Sequence, residues 1–219
     1  MIRDHQARRS VRLARHGVAL LCASLGLAVA AAPDSAAIIG RLAHPAPSSI
    51  AFVEVRFSPL LAEPLVVSGT LDYEGAGALR RRVEQPYAET TTIRGDSVAI
   101  ERAGERERTF ALRRAPELRG FVTTMLGILT GDSRSIDDEF TVATAGTDER
   151  WTLTFAPSEG RIRQRLRAIT VTGAAAQVHC FVVDDTAGGA SVTLLGAAAT
   201  RALQPPLVRD ELVAACAAE

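Results

Sequence analysis

From Phe52 onward, short runs in which apolar and polar residues alternate follow one another with only brief breaks. This two-residue period belongs to strands whose two faces meet different surroundings. The runs are Phe52 to Phe57, Leu65 to Glu74, Leu79 to Gln85, Glu89 to Arg94, Val98 to Arg102 past the turn at Gly95-Asp96, and Arg106 to Leu112 past Gly104. No break is long enough for a crossover helix, so the pattern predicts an antiparallel meander. A second series, Phe140 to Ala145, Glu149 to Ala156, Leu166 to Gly173, Gln177 to Asp185 and Ser191 to Leu195, brings the total to about eleven strands, with Gly188-Gly189 as a hairpin turn. That number favours one large curled antiparallel sheet over two small domains.

The period changes in two places. Ser35 to Ala43 reads as a short helix with Ile38, Ile39 and Leu42 on one side, ended by Pro45 and Pro47. Leu118, Phe121, Val122, Met125, Leu126 and Leu129 then recur at helical spacing, with Pro116 suited to the first turn and Gly131 to the end. From Gly120 to Gly131 this helix carries no charge. A helix on the outside of a plain sandwich shows charged residues on its free face, so this one is either covered on both sides or touches something apolar. Pro157 to Gln164 is a polar connector rich in arginine, and the tail from Ala197, Ala-rich and interrupted by Pro205-Pro206, reads either as a terminal helix or as a mobile segment.

Three consecutive arginines, Arg80, Arg81 and Arg82, stand within one predicted strand. Alternation puts Arg81 with Leu79 and Val83, and Arg80 with Arg82 and Glu84. One arginine therefore shares the more apolar face: either that face is not a closed core, or the arginine has a partner there.

Composition narrows the function. The 219 residues carry 25 basic and 25 acidic side chains, a balance that gives no support to nucleic-acid binding, and only 5% aromatics, too few for stacking platforms. Arg3, Arg8, Arg9, Arg12 and Arg15 precede an apolar run from Val18 to Ala30 with small residues at its end, which reads as a cleavable export signal over residues 1–30. Beyond it remain Cys180 in an apolar strand and Cys216 in the tail; two unrelated cysteines is the simpler reading, and a disulfide the alternative. Nothing supports catalysis or a metal. Neither His44 nor His179 has a second His, Cys or carboxylate at metal-ligand spacing in the sequence, Asp137, Asp138 and Glu139 read as a solvated run, and the Gly-Asp-Ser triplets at 95–97 and 131–133 fall where turns are expected. No catalytic residue, cofactor or metal is expected.

The order of these features resembles the LolA-like family of periplasmic outer-membrane lipoprotein carriers. The stretches that carry the resemblance are "FVEVRFSPLLAEPLVVSGTLDY", "LRRRVEQP", "TTIRGDSVAI", "PELRGFVTTMLGILTGD", "WTLTFAP" and "LRAITVTG". It implies an α+β fold: an incomplete, strongly curved antiparallel β-barrel whose concave face is covered by helices, with acyl chains held between sheet and helices. On this reading residues 31–196 form the carrier domain and 197–219 a C-terminal tail. Leu118, Phe121, Val122, Met125, Leu126 and Leu129 would line a lipid cavity with Trp151, Leu153 and Phe155, and Arg80, Arg81 and Arg82 are candidates for its mouth. The implied partners are a lipoprotein or other lipid-linked cargo, an inner-membrane donor and an outer-membrane acceptor, with the carrier a monomer in the periplasm and not an enzyme. A non-enzymatic envelope-assembly or interaction scaffold on the same fold is the alternative. Where the family places an Arg-Pro pair before the third strand, its arginine implicated in bonding the helical lid closed, this chain has Glu74-Gly75-Ala76-Gly77.

Overall fold

The computed structural model of the chain describes residues 33–158, 160–200, 203 and 205–218; the expected export signal, residues 1–30, lies outside the described residues. Eleven strands form one sheet: β1 (Ser48–Phe57), β2 (Leu65–Gly75), β3 (Ala78–Gln85), β4 (Glu89–Arg94), β5 (Ser97–Arg102), β6 (Arg108–Ala111), β7 (Phe140–Gly146), β8 (Trp151–Pro157), β9 (Leu166–Ala174), β10 (Gln177–Asp185) and β11 (Ala190–Leu195). Their order is β6-β5-β4-β3-β2-β1-β11-β10-β9-β8-β7. Every pair is antiparallel, and β1 joins the two meanders by pairing with β11, Val55 opposite Val192. The sheet is not closed, because β6 and β7 end it without pairing.

Among the described residues five α-helices accompany it: α1 (Ser35–Arg41), α2 (Pro116–Thr130), α3 (Arg134–Asp137), α4 (Gly160–Arg163) and α5 (Arg209–Ala218). Among the described residues no helix is long and apolar enough to cross a membrane. Pro116 opens α2 in its first turn, and Gly131 closes it in the left-handed conformation (φ 71°), its N–H returning to the last turn.

The curl follows from what α2 touches. On one side Met125 and Ile128 join the main apolar cluster with Phe155 of β8 and Ile169 of β9. On the other side Val122 packs with Ile93 of β4 and Val98 of β5. A single helix reaches strands near both ends of the sheet only if the sheet wraps around it. Alternation supplies the inner face: Phe52, Val67, Val83, Phe181, Leu195, Trp151, Leu153 and Phe155 all belong to the main cluster, together with Ile38, Ile39 and Leu42 of α1.

The outer face is apolar at one place. Cys180, Val182, Val192 and Leu194 form a separate cluster there with Ala198 and Cys216, against Leu212 and Val213 of α5. Here the simpler reading of the cysteines is corrected: Cys180 and Cys216 are disulfide-bonded, with Cα atoms 5.8 Å apart across a separation of 36 residues. The tail folds back, so the two sulfurs meet beneath α5. Arg209 bonds Asp184 at 2.6 Å and the Thr172 hydroxyl donates to the Cys216 carbonyl at 3.3 Å, fixing both ends of the helix on β9 and β10.

Candidate functional site

The inner face beneath α2 holds the candidate cavity residues in two conditions. Trp151, Leu153 and Phe155 alternate inward from β8 and are fully buried; the Trp151 indole N–H donates to the Ala175 carbonyl at 3.1 Å, and Phe155 meets Phe140 edge to face at 6.3 Å. They are fixed wall. Val122 and Met125 of α2 are buried as well, whereas Leu118, Phe121, Leu126 and Leu129 are half-buried. Phe121 leans edge-on over Phe181 in the sheet floor, with ring centroids 5.5 Å apart.

The uncharged remainder of α2 is covered rather than free. A Cβ on Gly120 would stand 2.8 Å from Leu166 and 3.2 Å from Phe140, and one on Gly127 would collide with Ile136 of α3. Glycine there lets the neighbours approach the helix backbone directly. Arg119 pairs with Glu139 at the start of β7. At the far end the His44 N–H donates to the Leu129 carbonyl at 2.9 Å, tying the segment after α1 to the last turn of α2.

The three arginines of β3 separate as alternation requires. Arg80 and Arg82 lie on the outer face, where Arg80 bonds Glu74 at 2.6 Å and Arg82 bonds Asp72 at 3.0 Å. Arg81 shares the inner face with Leu79 and Val83, and its partner is Glu54 of β1 at 2.6 Å. Its guanidinium also stacks over the Phe52 ring, 4.6 Å from the centroid. Glu54 takes a second cation, Arg56 of the same strand, at 2.5 Å. β2 lies between β1 and β3, and its register sets Gly69 opposite both Phe52 and Val83.

Glu54 is nearly buried, and burial alone pushes its carboxyl up. The charges and hydrogen bonds of Arg56 and Arg81 outweigh that and hold it below the usual carboxylate value. Burial lowers Arg56, and the pull of Glu54, helped by Tyr87 and Glu89, reverses it. Further out on the same face Arg102 bonds Glu89 at 2.5 Å and lies over the Tyr87 ring at 4.9 Å. Sequence reading named Arg81 but missed Glu54, Arg56, Tyr87, Glu89 and Arg102. The available signal was a charged pair, Glu54 and Arg56, sharing the parity of Phe52.

The remaining motifs are structural. The Asp96 carboxylate in the β4–β5 turn accepts the Arg113 backbone N–H at 3.1 Å, and Gly131 to Ser133 link α2 to α3. At the position of the family's Arg-Pro pair, Gly75, Ala76 and Gly77 make a hairpin turn with positive φ throughout. Glu74 beside it bonds Arg80 and Arg94 along the sheet, so its carboxylate points to β3 and β4. Among the described residues no group of three or more His, Cys, Asp or Glu side chains could hold a metal.

A search of curated protein sequences returns no match. Among solved structures the chain is similar to a LolA superfamily protein, NE2245, from Nitrosomonas europaea, at 8% identity and TM-score 0.41 over 80% of this chain and 96% of that one. It is also similar to LprF from Mycobacterium bovis, at 13% identity and TM-score 0.32 over 80% and 98%. A third likeness is to a chain of the Pseudomonas aeruginosa MucA/MucB complex, at 11% identity and TM-score 0.38 over 81% of this chain and 59% of that one. The model of one family, described as outer membrane lipoprotein carrier protein LolA-like, matches residues 27–213, which takes in the whole sheet, both helices of the inner face and Leu212 of α5. The chain belongs to the LolA-like outer membrane lipoprotein carrier protein family.

Proposed function

We propose that the protein is a periplasmic carrier that shields the acyl chains of a lipoprotein or another lipid-linked cargo between the curled sheet and α2. It takes that cargo from an inner-membrane donor and passes it to an outer-membrane acceptor, working as a monomer. The observation that carries this reading is α2 itself: a helix laid across the inner face, uncharged from Gly120 to Gly131, with Leu118, Phe121, Leu126 and Leu129 half-buried along its seams with the sheet.

Moving such a helix outward exchanges one apolar contact for another, so an acyl chain replaces the helix at little cost. Each methylene taken from water then contributes about 0.8 kcal/mol. In this scheme Trp151, Leu153 and Phe155 are the rigid wall, while Val122, Met125 and the four half-buried residues travel with the helix. Arg81 and Arg56 stand where the apolar floor gives way to charge. Guanidinium donors not used by Glu54 suit an anionic head group. Arg80 and Arg82 are engaged on the outer face and take no part.

Native mass spectrometry after mild purification, together with displacement of a fluorescent fatty acid, tests the reading. The expected result is a bound amphiphile and a displaceable probe, with Phe121→Asp weakening probe binding tenfold or more. A protein that holds no amphiphile and takes up no probe refutes it.

A further inference from the structure

One end of the barrel gathers features that cargo binding leaves unused. The β1–β2 connection carries Leu60, 94% exposed, and Leu61, 44% exposed, at its tip. Pro59 beside them lies against the β10–β11 turn, where a Cβ on Gly188 would stand 3.7 Å from its ring. In the same turn Thr186 donates its N–H to the Arg165 carbonyl at 3.1 Å and its hydroxyl to the Gln164 carbonyl at 2.8 Å. Apolar tip, turn and arginine-rich connector therefore form one continuous rim.

From that connector into the start of β9 the chain runs Arg161-Ile162-Arg163-Gln164-Arg165-Leu166-Arg167, and all four arginines are exposed. None of them is ion-paired with a described carboxylate, whereas Arg80, Arg81, Arg82, Arg94, Arg102 and Arg113 each meet one. Arg163 and Arg167 also line a hollow of ≈ 440 Å³ with Thr141, Ser158 and Thr186.

We propose that this rim docks on an anionic phospholipid surface, with Leu60 and Leu61 entering the head-group boundary and Arg161, Arg163, Arg165 and Arg167 facing lipid phosphates. Charge complementarity favours it: four cations in a short stretch, none bonded to a carboxylate among the described residues, gain about fivefold each in partitioning near an anionic leaflet. The isolated leucines favour a membrane over an acidic protein. A bilayer accepts an apolar tip at any position, but a protein must supply a matching pocket. Glu54 and Arg56 belong to the last four residues of β1, the end that leads into the β1–β2 connection with Leu60 and Leu61, so docking by that connection brings the charged end of β1 toward the lipid.

The test is flotation of the protein, in the form its host accumulates, with phosphatidylglycerol-containing vesicles and with pure phosphatidylcholine vesicles. The expected result is binding to the anionic vesicles, weakened by salt, with little binding to neutral ones. Replacing all four arginines by glutamine should lower partitioning by about a hundredfold or more, and Arg163→Gln alone by about fivefold. The double change Leu60→Ser, Leu61→Ser should weaken binding while leaving its salt dependence. Circular dichroism checks that each variant is folded, and the single variants keep the test decisive if the quadruple one is not. Equal binding to both vesicle types, or undiminished flotation of the folded arginine variants, overturns the proposal. So does capture by polyglutamate without flotation, which identifies an acidic protein as the partner instead.

Discussion

Replacing Glu54 by leucine isolates what the charged cluster of the inner face does for stability. The carboxylate bonds both Arg56 and Arg81 and so holds them together, with its side chain 12% exposed, that of Arg81 19% and that of Arg56 40%. Breaking a buried ion pair from one side costs about 3–5 kcal/mol, mainly because the orphaned charge stays buried. Water reaches both guanidiniums in part, which brings the cost to the bottom of that range or just below it, and Glu54→Leu should cost about 2–3 kcal/mol. Arg81→Leu should cost less, about 1–2 kcal/mol, since Glu54 keeps Arg56 and the main loss is the stacking on Phe52. The double variant removes the buried pair and leaves only Arg56, the most exposed member, so it should be no less stable than Glu54→Leu alone.

Urea unfolding of the four proteins, with the disulfide intact, measures this directly. With a slope of about 2 kcal/mol per molar, Glu54→Leu should lower the midpoint by about 1–1.5 M. The coupling between the two substitutions should be at least the cost of Arg81→Leu alone, about 1–2 kcal/mol, which the double-mutant cycle reads without reference to absolute stabilities. The pH dependence has a fixed sign. Because the folded carboxyl is held below its ordinary value of 4.5, its contribution is complete at neutral pH and disappears as pH falls through 4.5 toward the folded value. The gap between wild type and Glu54→Leu must therefore narrow in acid. Costs that add within about 0.5 kcal/mol, or a gap that widens in acid, refute the cluster as a linked unit.

Two further measurements test other parts of the fold. Cys216→Ala should lower global stability by about 3–4 kcal/mol from loop closure alone, and amide exchange should show α5 losing protection before the sheet does. Thermal unfolding should separate two glycines: Gly69→Ala, whose Cβ would collide with the Arg82 carbonyl, should cost about 2 kcal/mol or more. Gly40→Ala in α1, with nothing within 4 Å, should gain about 0.5–1 kcal/mol.

Strands and the central helix were legible because each has its own period. Alternation placed all eleven strands to within a few residues and put Trp151, Leu153 and Phe155 on one face. Parity also separated Arg81 from Arg80 and Arg82, but parity is local. It could not name Glu54, which is 27 residues away and belongs to a strand that is not even the neighbour of β3. Only the order of strands in the sheet brings those two charges together. A terminal helix was one of two readings of the tail, but where it docks was illegible for a related reason. α5 is short and rich in alanine, so its own pattern does not announce a buried side; the disulfide and the apolar patch of β10 and β11 decide where it goes.

The same contacts indicate which side of α2 yields when cargo enters, on the carrier reading. Toward β7 and β9 the helix is pinned at close range: Leu166 and Phe140 press on Gly120, Ile136 presses on Gly127, and Arg119 holds Glu139. A larger side chain at either glycine would break that packing, so this seam behaves as a hinge rather than an opening. Toward β4 to β6 the helix offers Leu118, Val122 and Leu126 to Ile93, Val98 and Phe110. Those contacts are side chain to side chain, and β6 is a four-residue edge strand paired on one side only. Apolar side chains at such an edge can exchange partners for acyl methylenes without disturbing a glycine contact or a covered strand. If the carrier reading holds, the helix would swing from its glycine-lined side, and the absence of charge along α2 would serve opposite ends on its two flanks: tight packing at the hinge and interchangeable contact at the mouth.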